Sequence, residues 1–256
     1  MTPHPAVALR GLHKKFGETY AVRGIDLDVP VGSFFGLVGP NGAGKTTTLS
    51  MATGLLRPDY GTAYINGMDV WADPVRAKAI IGVLPDGLRL FERLTGRELL
   101  LYGGLLRSMD PGVVAARTTE LLHVLGLADA SGAMVVDYSH GMRKKIGLAA
   151  ALLHAPRVVF LDEPFEGVDP VSARTIKGVL ESFVSGGGTV VFSSHVMELV
   201  ENLCDRVAVV NAGAVVAAGT IESVRDGRRL EDVFADLVGA QDPLSEGLAW
   251  LRSSSG

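Results

Sequence analysis

The sequence predicts an α/β protein: a mixed sheet covered by helices, with an antiparallel β subdomain and an α-helical insert beside it. Three short apolar runs carry the first part of this expectation: FFGLVG at 34–39, VVFLDE at 158–163 and TVVFSSH at 189–195. They are rich in β-branched and aromatic residues and lack polar alternation, as strands of a parallel sheet buried on both faces do. The second observation is that the pattern between about 95 and 155 turns wholly helical, apart from a strand-like stretch near Val135. The third is alternation at the N-terminal side, in VALRGLHKKF, GIDLDV and later TAYING, with Gly and Pro turn signals between them. That pattern predicts an antiparallel sheet.

Each apolar run ends in polar or glycine residues and leads into a helical pattern. After VVFLDE, residues Ile176, Val179, Leu180, Phe183 and Val184 fall on one helical face, and Gly186, Gly187 and Gly188 stop the helix. The insert contains three helical segments: LTGRELLLYGGLLRS, PGVVAARTTELLHVLGL and SHGMRKKIGLAAALLHA. In parallel α/β sheets ligands bind outside the carboxyl ends of the strands, so the three run ends are expected to converge on one site. There is no internal repeat and no low-complexity segment.

With 256 residues and 47% hydrophobic content, the chain can bury a sizeable core. Its net charge of −4 is spread along the chain without a basic stripe, so no nucleic-acid partner is expected. The single cysteine, Cys204, excludes an internal disulfide and a cysteine-based zinc cluster and fits a reducing compartment. The N-terminus shows neither a basic leader nor a secretory apolar stretch. The densest apolar run, Ile146 to Leu153, is less than half the ~20 residues that a spanning helix needs. A cytoplasmic location is expected, with any membrane attachment supplied by partners.

Residues 39–46, GPNGAGKT, match G-x-x-x-x-G-K-S/T between a predicted strand and a predicted helix, the context that a phosphate loop requires. Gly39, Pro40, Asn41, Gly42, Ala43 and Gly44 would curl backbone N–H groups around a β-phosphate. Lys45 would reach the β and γ oxygens, Thr46 would ligate Mg²⁺, and Thr47 would continue the cradle at the helix start. A bland glycine-rich turn has no need of lysine followed by threonine. The core is therefore expected to be of the P-loop NTPase (RecA-like) type, with a nucleoside triphosphate and Mg²⁺ as ligands. Asp162 and Glu163 close the second run; alone they read equally as a solvated acidic turn before Pro164. Beside a phosphate loop they suit a Mg²⁺ ligand and a general base for the attacking water.

At this point the sequence resembles the ATP-binding cassette (ABC) ATPases along almost its whole length, and in particular the ATPases of ABC-2-type drug exporters. The order of motifs is the family's: aromatic, phosphate loop, Q-loop region, signature, Asp-Glu pair, D-loop, histidine. The resemblance implies that Phe16 stacks on adenine, the favoured reading over an ordinary strand residue. Ser139 and Gly141, in YSHGMRKK, match the signature LSGGQ at its serine and second glycine. Asp169 matches the D-loop aspartate and is also suited to cap a helix that starts at Pro170; both can hold at once. His195 matches the switch histidine that contacts the γ-phosphate. Where the family places its Q-loop glutamine this chain has Asp86, a shorter, charged side chain that can still ligate Mg²⁺. The signature also departs from the family's pattern, with Tyr138, His140 and Met142, a form found among exporter ATPases, and LEDVFADLVG near 230–239 resembles the end of such proteins.

The resemblance further implies an ATPase that dimerises around two ATP, since the family's signature closes on the nucleotide of a second copy. It implies separate integral membrane permease subunits, attachment to the inner face of the membrane through them, and export as the direction of transport. A cytoplasmic permease helix is expected to dock near Leu88, Leu90, Phe91 and Leu94, with Leu94 packed into the insert. The ATPase domain is expected over 1–240, as a core of 1–86 and 156–219, a helical subdomain of about 87–155, and C-terminal helices over 220–240. In the tail, 241–256, Leu244, Leu248 and Leu251 have helical spacing, and a docked helix and a frayed end both remain open. A GTPase is disfavoured because no Asn/Thr-Lys-x-Asp motif is present. A soluble cassette ATPase of Fe–S cofactor assembly is the alternative.

Overall fold

The computed structural model describes residues 4–239; the tail leucines Leu244, Leu248 and Leu251 lie outside them. Two long strands, β1 (Val7–Phe16) and β2 (Thr19–Val29), form an antiparallel pair. The first apolar run becomes β3 (Phe34–Val38), buried at every residue, and the phosphate loop leads from it into α1 (Lys45–Ala52). There follow β4 (Tyr60–Ile65), β5 (Met68–Asp69), α2 (Pro74–Ala79) and β6 (Ile81–Leu84). The insert is α3 (Gly96–Leu106), α4 (Pro111–Val124) and α5 (His140–Leu152). Then come β7 (Val158–Leu161), α6 (Pro170–Ser185), β8 (Thr189–Ser194), α7 (Met197–Leu203) and β9 (Arg206–Asn211). The last described elements are β10 (Ala214–Thr220), α8 (Ile221–Arg225) and α9 (Leu230–Val238).

These strands form two sheets, ordered β2-β1-β4-β5 and β10-β9-β3-β8-β7-β6. The first is antiparallel; in the second, β9, β3, β8, β7 and β6 run parallel and β10 is antiparallel at the edge. Alternation along the strands explains why the apolar runs are unbroken. Phe34, Val38, Leu161 and Phe192 point into one core with insert residues such as Leu100 and Ile146. Phe35, Leu37, Phe160 and Val191 point into a second core with Leu12 and Ile25 of the four-stranded sheet. Both faces of the parallel sheet are therefore buried, which removes the polar alternation of a one-sided sheet; the polar residues of β8, Thr189, Ser193 and Ser194, lie at its ends.

The helix starts follow local chemistry. Thr95 and Glu98 form a reciprocal capping box on α3, and Asp110 and Asp169 cap α4 and α6 with proline at the first helical position. The strand-like stretch near Val135 is instead a 3₁₀ turn over Val135–Asp137, with a single bridge between Thr95 and Met134. Two valines give too short a run to build a ladder, and Val135 N–H is satisfied by Leu94 C=O at 2.9 Å. Three strands of the main sheet, β6, β9 and β10, carry no expectation from the sequence. In β6 the residue Gly82 lies so close to the Ala151 carbonyl that an added Cβ would collide with it, so glycine lets α5 pack against the strand. Among the described residues no helix is long and apolar enough to cross a membrane.

Candidate functional site

The three strand ends do converge. β3 ends at Val38, and the loop that follows is pressed between neighbouring strands: an added Cβ on Gly44 would collide with the Ala21 carbonyl, and one on Gly39 with the Val210 carbonyl. Gly44 has φ 104° and caps α1 without a side-chain hydrogen bond, and no acidic residue occupies the first turn of α1. The first amide donors of the helix thus face the loop without a competing carboxylate, an arrangement that attracts an anion. Lys45 folds back across the loop, its Nζ donating to Gly39 C=O at 2.7 Å and Pro40 C=O at 3.3 Å, and it is only 6% exposed.

From β7 come Asp162 and Glu163. Asp162 is buried, and its Oδ1 accepts from Ser193 Oγ at 2.5 Å. The Glu163 backbone adopts φ 46°, a left-handed conformation that costs a non-glycine residue about 1–3 kcal/mol. Its Oε1 lies 3.7 Å from Lys45 Nζ and its Oε2 lies 3.1 Å from His195 Nδ1. His195 follows β8, so one carboxylate links residues from three strand ends.

These groups open onto a cleft of about 510 Å³ lined by Phe16, the loop from Asn41 to Thr47, Asp86, Glu163, Glu166 and His195. A smaller adjoining cleft of about 110 Å³ brings Thr46, Asp86 and Asp162 together. The expected Mg²⁺ donors thus share one cavity wall, and they offer a hydroxyl and two carboxylates, the hard oxygen donors that this ion takes. Asp86 Oδ1 also accepts the Gly87 N–H at 2.8 Å. Phe16 is half exposed at the cleft's edge, with Lys14 Nζ 5.7 Å from the ring centroid.

Ser139, Gly141 and Asp169 are not part of this cleft; they form a second cluster. Ser139 caps α5, its Oγ accepting from Met142 N–H at 3.2 Å. Asp169 Oδ1 accepts from the Val171 and Ser172 N–H groups, and a Cβ on Gly141 would come within 2.8 Å of Asp169 Oδ2. The Ser172 N–H and hydroxyl, with the Val171 N–H, hold the Asp169 carboxyl below its ordinary range.

Four neighbours of the site were not expected from the sequence. Ser193 bridges Asp162 and Glu163, and Lys144 donates to the Glu163 carbonyl. Glu166 lines the cleft, and the His140 ring lies against Gly167 with Nε2 3.0 Å from Glu166 C=O. Ser193 had a signal, a hydroxyl inside a buried strand two residues before His195. Lys144 had none, since a lysine on a helix is ordinarily a solvated one.

Residues 22–166 match the family model described as "ABC transporter". The chain is 36% identical over 209 residues to the linearmycin resistance ATP-binding protein LnrL of Bacillus subtilis, covering 82% of this chain and 67% of that protein. It is 39% identical over 218 residues to the daunorubicin/doxorubicin resistance ATP-binding protein DrrA of Streptomyces peucetius, covering 85% of this chain and 66% of that protein. The chain thus spans about two thirds of the length of these relatives. A solved ATP-binding subunit of an ABC transporter superposes with a TM-score of 0.84 at 25% identity, over 91% of this chain and 99% of that one.

Proposed function

The chain belongs to the ABC transporter family, and from that membership we propose that it is the ATP-binding and ATP-hydrolysing subunit of an exporter. The observation that carries the hydrolytic part is the Glu163 carboxylate, placed between Lys45 and His195 and opening onto the phosphate-loop cleft. ATP would seat its phosphates on the loop amides from Gly39 to Thr47, with its base against Phe16 and Lys45 neutralising the β and γ oxygens. Mg²⁺, held by Thr46, Asp162 and Asp86, would supply charge neutralisation across the phosphates. Glu163 takes the proton of the attacking water, and His195, hydrogen-bonded to Glu163, faces the γ-phosphate.

Ser139, Gly141 and Asp169 stand outside the cleft, so a single chain leaves the far side of the nucleotide uncovered. A second subunit would bring its own α5 N-terminus there, and ATP would join the two. In this reading 1–86 and 156–219 form the catalytic core, about 87–155 the lever to the permease, and 220–240 the C-terminal helices. The permease face is a groove of about 930 Å³ whose lining includes Leu88, Leu90, Phe91, Leu94, Tyr102 and Leu105. Phe91 is 59% exposed and T-stacked on Tyr102 at 5.5 Å, whereas Leu94 is partly buried against the core. Leu94 thus belongs to the insert and Phe91 to the surface. The relatives' names, resistance ATP-binding proteins, favour transport over Fe–S cofactor assembly, and attachment to the inner membrane face would come through the permease. Co-purification with a membrane protein encoded beside this chain, and ATPase activity that rises with it, test the proposal; ATPase without any membrane partner would favour the soluble alternative.

A further inference from the structure

Glu163 is the only non-glycine residue with positive φ that lines the phosphate-loop cleft among the described residues. A backbone in that conformation persists only where its surroundings fix it. Three hydrogen bonds do so, one of them local: the Glu166 N–H donates to the Glu163 C=O at 3.3 Å. The Glu163 N–H donates to Ser193 Oγ at 2.9 Å, from the neighbouring strand. Its C=O accepts from Lys144 Nζ at 2.8 Å, and Lys144 lies on α5, the helix that Ser139 caps.

Lys144 is an unusual residue to find there. It is 4% exposed and lines a cleft of about 340 Å³ together with Asp86 and Glu166, yet among the described residues no carboxylate lies within ion-pairing distance of it. Burying a cation without a contacting counter-charge is costly, and buried helix positions are ordinarily filled by apolar side chains, as Ile146 and Leu148 are here. What the ammonium gains in return is a hydrogen bond to one carbonyl, that of the residue whose side chain faces Lys45 and His195.

We propose that Lys144 is a positioning residue which ties the orientation of Glu163 to the position of α5. The inference rests on the hydrolytic role proposed above for Glu163. Ser139 and Lys144 stand on one hydrogen-bonded helix, about 7.5 Å apart along its axis, so the helix moves them together. A nucleotide of the second subunit seated at the Ser139 end shifts the helix, the Lys144 ammonium shifts with it, and the Glu163 peptide turns. Each subunit's carboxylate is then set for hydrolysis only when that subunit's own α5 is engaged by its partner.

The test is steady-state ATP hydrolysis by the full-length protein. Lys144→Met keeps the apolar stem and removes the donor; kcat is expected to fall ~10-fold or more, since small misplacements of a catalytic group cost that much. KM should stay within about twofold, the thermal midpoint should hold, and the Hill coefficient for ATP should fall toward one. Lys144→Arg should restore most of kcat. The double variant Ser139→Ala/Lys144→Met should be no slower than the slower single variant, because both act through one helix. A kcat for Lys144→Met within twofold of wild type, a fall not rescued by arginine, or multiplicative losses in the double variant would overturn the proposal. Should Lys144→Met fail to fold, Lys144→Gln, whose amide falls short of the carbonyl, is measured with the same expectations. Glu163→Gln separates the two levels: if it hydrolyses at the wild-type rate the base assignment falls, whereas an inactive Glu163→Gln beside a normal Lys144→Met removes the coupling alone.

Discussion

The cleft at the ends of β3, β7 and β8 and the groove on the helical insert are built in opposite ways. In the cleft the charged groups are sunk into the protein and held by hydrogen bonds within the chain: Lys45 is 6% and Asp162 5% exposed. In the groove Phe91 at 59% and Leu105 at 52% exposed stand outward, with Phe91 stacked on Tyr102, above leucines such as Leu94 that pack partly into the core. Fixed polar groups in a polar cavity are arranged for a ligand whose charge is known in advance. A contiguous apolar surface left open is arranged for a protein that will cover it. In the reading proposed above, one chain fixes most of the chemistry, while its mechanical output depends on the permease docked in the groove.

The largest expected effect breaks the comparison on the cleft side. Glu163→Gln should bind ATP normally but hydrolyse it ~10²-fold more slowly or worse, because an amide cannot take the water's proton. An ATP-dependent dimer should then accumulate and be visible by size-exclusion chromatography. A near-normal rate would make Glu163 a structural residue.

Lys45→Ala should lower affinity and turnover together. The loss of a charge-assisted hydrogen bond of about 1.5–3 kcal/mol corresponds to roughly 10- to 100-fold in ATP affinity, measurable by nucleotide titration. Wild-type binding in that variant would sink the phosphate-loop assignment.

On the groove side Phe91→Glu should leave ATP binding intact and stability within about 0.5 kcal/mol, as for exposed positions generally, while transport and permease co-purification fail. Loss of folding would return Phe91 to the core, and unchanged transport would remove the 88–94 segment from the interface.

The smallest effect lies away from both, at the joint between the insert and the main sheet, where His154 donates from Nε2 to Ile81 C=O of β6 at 2.8 Å when that nitrogen carries the proton. Burial, and then the Arg107 charge, push its pKa down to about 4 from the ordinary 6.5. Between these values the unfolded chain binds the proton and the folded one resists it, so stability falls as pH falls from about 6.5 toward about 4. Thermal midpoints across that range should drop for the wild type and run flatter for His154→Gln; equal slopes would show that His154 does not titrate in this way.

Much of this was written locally in the chain. A phosphate loop is one continuous stretch whose glycines, lysine and threonine have to be adjacent, so GPNGAGKT is legible without a fold. Buried parallel strands announce themselves as runs dense in β-branched and aromatic residues: FFGLV, VVFL and TVVFSS did, whereas IGVL, as short as VVFL but with only two such residues, did not. The run VAVV before the Asn211-Ala212-Gly213 turn carried the same signal for β9 and could have been taken up. Helix caps were equally legible, since Asp-Pro fixes both the cap and the first helical residue.

By itself, then, the sequence determined the strands and helices around the loop, the loop's own shape and the identity of the groups at the strand ends. Only the tertiary structure decided which of those groups meet. Glu163 stands between Lys45 and His195 because β7, β3 and β8 are neighbours in a sheet whose order differs from their order in the chain. Ser139, Gly141 and Asp169 cluster apart from the cleft because α5 and α6 pack with their N-terminal ends side by side. Lys144 reaches the Glu163 carbonyl across 19 residues of chain for the same reason. Local propensity acts over a few neighbouring residues, whereas these contacts are set by packing both faces of one buried sheet, a condition that no short stretch of sequence can express.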